Sequence, residues 1–179
     1  MRYALGVALG PALAFPLAAQ EPARVSPHFE IRRVGGPPLP LNRYLRKVVA
    51  LAFIDTGCPH CQDFTRALTP IAREYAPRGV QVLECAFNDA ARQTVPDFVK
   101  QFAPPFPVGW ATRAAVMAYL QISILEARPL YVPHPVLLDR RGKIRGDFPG
   151  ESGFFVKTDE NLRADLDKLL RPAVAKQSA

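Results

Sequence analysis

The residues of this chain best equipped for chemistry are two cysteines three positions apart, in Cys58-Pro59-His60-Cys61. An apolar run, Val48-Val49-Ala50-Leu51-Ala52-Phe53-Ile54, precedes them, followed by a short polar turn, Asp55-Thr56-Gly57. After them Phe64, Ala67 and Leu68 recur at the three- and four-residue spacing of one helix face. The apolar run reads as a buried strand, so the tetrad falls where a strand hands over to a helix. Cys58 is then near the N-cap and Cys61 one turn inside. Pro59 lies in the first turn, where a missing N–H costs nothing. The first amides of a helix lack partners, and the helix dipole adds partial positive charge there. Both favour a thiolate at Cys58, and His60 adds a donor or a positive charge beside it. An activated thiol next to a second thiol suits disulfide exchange: Cys58 attacks, and Cys61 resolves the mixed disulfide.

A C-x-x-C by itself also fits a structural disulfide, a zinc site or a haem attachment. Haem attachment requires His at position 62, where this chain has Gln62. Zinc requires two further ligands, and the chain has no second C-x-x-C and no H-x-x-x-H. The strand–turn–helix context therefore favours redox exchange, which needs no metal and no cofactor beyond the Cys58/Cys61 disulfide itself. With three cysteines in the chain, a disulfide-stapled scaffold is excluded. The third, Cys85, lies in the strand-like run Val80–Phe87 and reads as a small buried hydrophobe.

The elements around the tetrad follow from pattern. A length of 179 residues with 49% hydrophobic residues suits one domain with a substantial core. The net charge of +7 comes from scattered cations such as Arg32-Arg33, Arg46-Lys47 and Arg140-Arg141. No aromatic-and-basic groove accompanies them, so they read as solvated surface charge and not as a nucleic-acid interface. Residues 1–20 begin with Arg2, continue apolar and uncharged from Tyr3 to Leu17, and end in small residues, Ala18-Ala19. This is the pattern of a secretory signal peptide, too short and proline-interrupted for a comfortable membrane span. It places the protein outside the cytoplasm, most simply in a bacterial periplasm. The membrane enters only through that segment, as a signal or an uncleaved anchor. Residues 21–25 read as a linker, 26–171 as the domain and 172–179 as a loose tail. Phe29, Ile31 and Arg33 alternate as a strand's inner residues do, and Gly35-Gly36 marks a hairpin turn. A helix is expected from about Pro59 to Ala76, kinked at Pro70 or with its buried face broken there. The strand Val80–Phe87 should run parallel to Val48–Phe53, since a helix joins them. Asp89 follows that strand, at the strand end where open α/β sheets place ligand and catalytic groups, and also reads as an N-cap for a helix over Ala90–Phe102. A hairpin is expected at Asp139–Gly142, and a closing amphipathic helix carries Leu162, Leu166, Leu169 and Leu170 on one face.

Strand, Cys-Pro-His-Cys and helix together resemble the thioredoxin superfamily. The wider pattern over about 26–171 is similar to its TlpA/ResA-like branch of extracytoplasmic thiol-disulfide oxidoreductases. The dipeptide Pro59-His60 is shared with the DsbA oxidants. The resemblance implies an α/β thioredoxin-like fold: a single domain with a central mixed sheet flanked by helices. It implies Cys58 as nucleophile, Cys61 as resolver, Pro59 and His60 as tuners, and protein thiols or disulfides and a redox partner protein as partners. Family spacing places a cis-proline at Pro133, with Val132 and His134 beside it near the cysteines as a substrate edge, and gives Asp89 the place of a proton-transferring carboxylate. Two positions depart from the family. The buried acid six residues before the first cysteine is replaced by Ala52, and the tryptophan before it by Gly57. Two other functions compete. A peroxidase-like redoxin uses a Pro-x-x-x-Thr-x-x-Cys pocket, for which only Thr56 is available, at the wrong offset. A copper or zinc carrier would use the same two thiols as ligands.

Overall fold

The structure is a computed structural model that describes residues 24–123 and 129–171. The expected signal peptide (1–20) and tail (172–179) lie outside the described residues, as do positions 21–23 of the expected linker. The other two linker positions are corrected: Arg24 and Val25 form a strand of the sheet, pairing with Ile144 and Lys143.

Among the described residues one mixed sheet holds eight strands. They are β1 (Arg24–Val25), β2 (Glu30–Arg33), β3 (Gly36–Pro40), β4 (Val48–Ile54), β5 (Val80–Ala86), β6 (Val108–Trp110), β7 (His134–Leu138) and β8 (Lys143–Asp147). Their spatial order is β1-β8-β7-β4-β5-β6-β2-β3. Four helices flank them: α1 (Pro59–Tyr75), α2 (Ala91–Phe102), α3 (Arg113–Leu120) and α4 (Thr158–Leu170). β4 lies inside the sheet, parallel to β5 across the α1 crossover and antiparallel to β7. This is the expected single-domain α/β architecture.

The uninterrupted apolar run of β4 is explained by burial on both faces: all seven of its residues are buried. Val48, Ala50, Ala52 and Ile54 join a core with Phe64, Leu68 and Ile71 of α1, Val95 and Phe98 of α2, and Leu162 and Leu166 of α4. Val49, Leu51 and Phe53 face the opposite way, toward Phe29, Ile31 and the α3 residues Val116, Tyr119 and Leu120. There the Phe53, Phe29 and Tyr119 rings meet with centroids 4.9–5.5 Å apart. Each large side chain so buried contributes roughly 1.5–3 kcal/mol. These two cores fix β4, and through it the turn at its C-terminal end.

Local expectations differ in three places. Arg33 is exposed, because the β2–β3 hairpin projects beyond the core after Ile31. The buried face of the helix is not broken at Pro70: the stripe Phe64, Leu68, Ile71 and Tyr75 stays in register across it. Packing of that stripe outweighs the one hydrogen bond a proline removes. The helix α2 begins at Ala91 with Ala90 as its N-cap and no side-chain cap bond, so Asp89 does not cap it. Elsewhere β2 crosses to β6 at Gly109, where any Cβ would run into the Arg32 carbonyl and the Ile31 side chain.

Candidate functional site

The site begins as a backbone turn at the end of β4. Asp55 Oδ1 accepts the Gly57 N–H at 2.8 Å, and the Asp55 carbonyl accepts the Cys58 N–H at 3.1 Å. That turn delivers Cys58 to the N-cap of α1 in an extended conformation (φ −79°, ψ 120°), with Pro59 opening the helix. The Cys58 carbonyl accepts the Gln62 N–H at 3.0 Å, and the Gln62 side chain reaches back to the Thr56 carbonyl at 3.0 Å. Cys58 is half-buried, His60 and Pro59 are exposed, and Cys61 is wholly buried. Both thiols are free of a disulfide. Burial pushes the Cys61 thiol well above its ordinary value, against the Asp55 N–H, which points at its sulfur from 3.4 Å, and together with the neighbouring Cys58. The arrangement is asymmetric: one sulfur at the surface beside free helix amides, the other kept as a neutral thiol behind it.

The second part of the site comes from β7. Its antiparallel register sets His134 opposite Phe53, so Pro133 lies next to the end of β4 and the turn that follows. The Val132–Pro133 peptide bond is cis, as family spacing implied. Val132 and Cys58 both border the α1-side core. Behind this loop, Gly150 donates its N–H to the Tyr131 carbonyl at 3.3 Å. A Cβ at Gly150 would stand 3.0 Å from the Tyr131 carbonyl carbon and from the Val132 nitrogen, so any side chain there would press this backbone outward by a few tenths of an ångström.

His134 is placed differently from the expectation. Its backbone adjoins Pro133, but its register with Phe53 turns its side chain to the α3 face, away from Cys61. There it is 5% exposed, with Nε2 2.5 Å from Asp147 Oδ1. Asp147 Oδ2 accepts from Arg24 Nη2 at 2.9 Å, which ties β7, β8 and β1 together behind the cis-proline loop. Burial alone would raise the Asp147 carboxyl. The hydrogen bond and charge of His134, then those of Arg24, outweigh it and hold the group below its usual range. A depressed carboxylate contributes stability above its unfolded value of about 3.9 and loses it as pH falls through the folded value. Asp147→Asn is therefore expected to unfold more easily than the native chain at pH 6. The deficit is about 1 kcal/mol, the scale for a side chain that is 36% exposed, and it should close below about pH 4. Urea unfolding of both proteins between pH 3 and 7 measures this; a difference that does not change with pH overturns the assignment.

Asp89 is exposed and lines a cleft with Arg92, Trp110 and Arg113. The residue of its loop that meets the active-site turn is Asn88, whose Oδ1 accepts the Thr56 N–H at 3.3 Å. The Thr56 hydroxyl lies 2.7 Å from the Thr94 hydroxyl and 3.4 Å from the same Asn88 oxygen. Sequence reading passed over a different acid. Glu84, at the middle of β5, is 0% exposed and sits in register with Ala52. Its signal was present: a single charged residue in the strand-like run Val80–Phe87, at the parity of Val80, Val82 and Ala86, which face α1.

A half-exposed thiol at a helix N-cap, a buried thiol one turn in, a cis-proline alongside and the mixed sheet beneath define a redoxin of the thioredoxin superfamily, TlpA/ResA-like in pattern. Residues 22–146 match the AhpC/TSA family, and the chain belongs to it. Solved structures share the fold. A thioredoxin-family thiol:disulfide interchange protein from Chlorobium tepidum is 21% identical with a TM-score of 0.65, covering 83% of this chain and 99% of that one. The thioredoxin domain of a thiol-disulfide oxidoreductase from Bacteroides vulgatus is 18% identical (TM-score 0.66; 87% and 99% covered). A thiol:disulfide interchange protein from Bacteroides sp. is likewise 18% identical (TM-score 0.65; 87% and 93%). No curated protein matches the chain in sequence.

Proposed function

We propose that this protein is a thiol-disulfide oxidoreductase that exchanges disulfides with protein substrates outside the cytoplasm. The observation that carries the reading is the division of labour between the sulfurs: Cys58 half-exposed at the N-cap of α1, Cys61 fully buried behind it. Cys58 attacks a substrate disulfide as thiolate, one substrate sulfur leaves, and a mixed disulfide forms. Cys61 gives up its proton and attacks the Cys58 sulfur, which releases the second substrate thiol and leaves Cys58–Cys61 oxidised. Run backward, the same steps oxidise a dithiol. Pro59 fixes the first turn, and His60 supports the thiolate from the solvent side. The backbone at half-buried Val132, beside the buried ring of Pro133, offers an extended substrate segment a strand to pair with. The extracytoplasmic placement rests on the charge and apolar pattern of residues 1–20.

Membership of the AhpC/TSA family favours one second reading, peroxide reduction at Cys58. Against it, Thr56 stands two residues before Cys58, with its hydroxyl engaged by Thr94 and Asn88. The test is one preparation in three assays: reduction of a protein disulfide by the dithiol form, consumption of hydrogen peroxide, and copper or zinc bound per chain. Exchange with protein disulfides, far faster than peroxide consumption and without bound metal, is the expected result. Peroxide turnover exceeding exchange moves the assignment to a peroxidase, and tight stoichiometric metal to a carrier.

The substrate edge has its own test. Gly150→Ala should displace the Tyr131–Val132 backbone and slow exchange with protein substrates by about tenfold, the scale on which small misplacements near a reacting centre act. Exchange with glutathione, too small to pair along the edge, should change little. Equal slowing of both would remove the groove from the reading.

A further inference from the structure

Beneath the active-site helix lies a carboxyl group that no step above uses. Glu84 Oε1 is 2.8 Å from Thr65 Oγ1, and Thr65 Oγ1 is 3.0 Å from the carbonyl of Cys61. Glu84 Oε2 has no hydrogen-bond partner among the described residues. Thr65 is itself 0% exposed. A hydroxyl has one proton, so both contacts are satisfied together when Glu84 is protonated. The carboxyl then donates to Thr65, and Thr65 donates to the Cys61 carbonyl. An ionised Glu84 instead takes the Thr65 proton, and the Cys61 carbonyl loses that bond. The charge state of Glu84 is thus mechanically linked to the turn of α1 that carries both sulfurs.

Among the described residues the surroundings hold no charge for Glu84 to pair with. From β4 the residues facing this core are Val48, Ala50, Ala52 and Ile54; from β6 Val108 borders it; from α2 come Val95 and Phe98, and from α4 Leu162 and Leu166. From α1 come Phe64, Leu68, Tyr75 and Cys61, with Cys58 at the helix end. The charged residues of the first turns of α1, Asp63 and Arg66, lie on its solvent side, paired at 2.6 Å. The sulfurs are the ionisable groups one turn of α1 away from the Thr65 contact, and Tyr75 lies more than two turns further along.

We propose that Glu84 is a redox-linked positioning residue: its proton is held more tightly when the Cys58/Cys61 pair is reduced than when it is oxidised. The inference rests on the exchange reading above. Two-electron reduction of the disulfide breaks the S–S bond, leaves Cys58 as thiolate and places one proton on Cys61. The electrons come from the substrate dithiol, which is oxidised to its disulfide. A negative sulfur at the head of α1 disfavours a second negative charge at Glu84, so in a window of pH the reduced protein holds one further proton there. Burial pushes the Glu84 carboxyl up to about 8, which puts that window on the alkaline side of neutrality. By reciprocity, ionising Glu84 destabilises the reduced form. Below the window the carboxyl is neutral and without effect; above it the pair is a better reductant than it would otherwise be. The side chain therefore stands in for the acid missing at position 52, from the neighbouring strand and on the same register pair.

The experiment equilibrates the full chain with glutathione buffers between pH 6 and 9.5 and reads the reduced fraction by thiol labelling. For the native chain and Glu84→Gln the thiol–disulfide equilibrium constants should agree within twofold at pH 6. At pH 9.5 the native chain should be less readily reduced by about threefold or more, as a partly screened charge pair predicts. Glu84→Asp should restore part of the difference. An infrared titration of the Glu84 carboxyl band should place its midpoint higher in the reduced than in the oxidised protein, a readout a purely structural side chain would not move. Parallel pH profiles for native and Glu84→Gln, or equal carboxyl midpoints in the two redox forms, overturn the inference and leave the exchange reading intact. A pair that no buffer oxidises overturns both. Should Glu84→Gln fail to fold, the infrared comparison on the native chain decides alone.

Discussion

With Cys58 replaced by serine, exchange with protein disulfides is expected to fall by at least about a hundredfold, because the thiolate is the nucleophile and the rate follows its availability. Cys61→Ser should fail at the later step instead. Attack still proceeds, but the mixed disulfide has no resolving thiol, and the partner stays covalently bound. The structure makes the two sulfurs unequal before any chemistry occurs: Cys58 is half-buried at the N-cap, whereas Cys61 is 0% exposed, with its thiol pushed up by burial. Alkylation of the single-cysteine variants measures this directly. At pH 6 the variant retaining Cys58 should react about a hundredfold faster than the one retaining Cys61. Faster alkylation of Cys61 would reverse the roles. The trapped complex also identifies the physiological partner, by recovery of the disulfide-linked protein from Cys61→Ser cells.

The second large effect expected is on the reduction potential, which should lie above the thioredoxin value of about −270 mV. Whatever stabilises the Cys58 thiolate stabilises the reduced form and makes the disulfide the stronger oxidant. The free amides at the head of α1 act in this direction, and exposed His60 adds to them. At neutral pH the buried acid does not oppose them, since Ala52 carries no charge and Glu84, pushed up to about 8, is mostly protonated. His60→Gly should lower the potential by about 30 mV, a tenfold change in the equilibrium constant. Equilibration with glutathione or dithiothreitol buffers at pH 7, read by thiol labelling, gives both values. A native potential at or below that of thioredoxin would falsify the expectation, and an unmoved potential in His60→Gly would remove His60 as a cause. On the exchange reading, the direction of electron flow in the cell would be set by whichever partner recharges the pair. This is how a TlpA/ResA-like pattern and a DsbA-like dipeptide coexist in one chain.

Much of the site was legible in order along the chain because it is local. The apolar run, the polar turn, Cys58-Pro59-His60-Cys61 and the helical stripe after it are contiguous, and strand, N-cap and first turn each leave a pattern within four residues. The parallel pairing of β4 with β5 followed from the helix between them, and the cis-proline at Pro133 was implied by the resemblance to the family. Arg24 and Val25 were not legible as a strand, since two residues form no pattern and their place depends on β8, more than a hundred residues later. Face assignments were lost in the same way. His134 adjoins Pro133 in sequence, but its register with Phe53 decides that its side chain meets Asp147 and not the sulfurs.

The position of the buried acid shows the division most clearly. Read alone, the sequence established that position 52 is alanine and that a glutamate interrupts an apolar strand at position 84; nothing local connects the two. Only the parallel register of β4 and β5 sets Glu84 beside Ala52 and under Thr65, in reach of the helix that holds both cysteines. Residue type, strand and helix period, and the thiol pair are short-range properties that the chain carries in its order. Which carboxyl loses its water, which imidazole finds an aspartate and which backbone closes on Pro133 depend on segments distant in sequence, because desolvation and pairing are settled by whatever packs alongside.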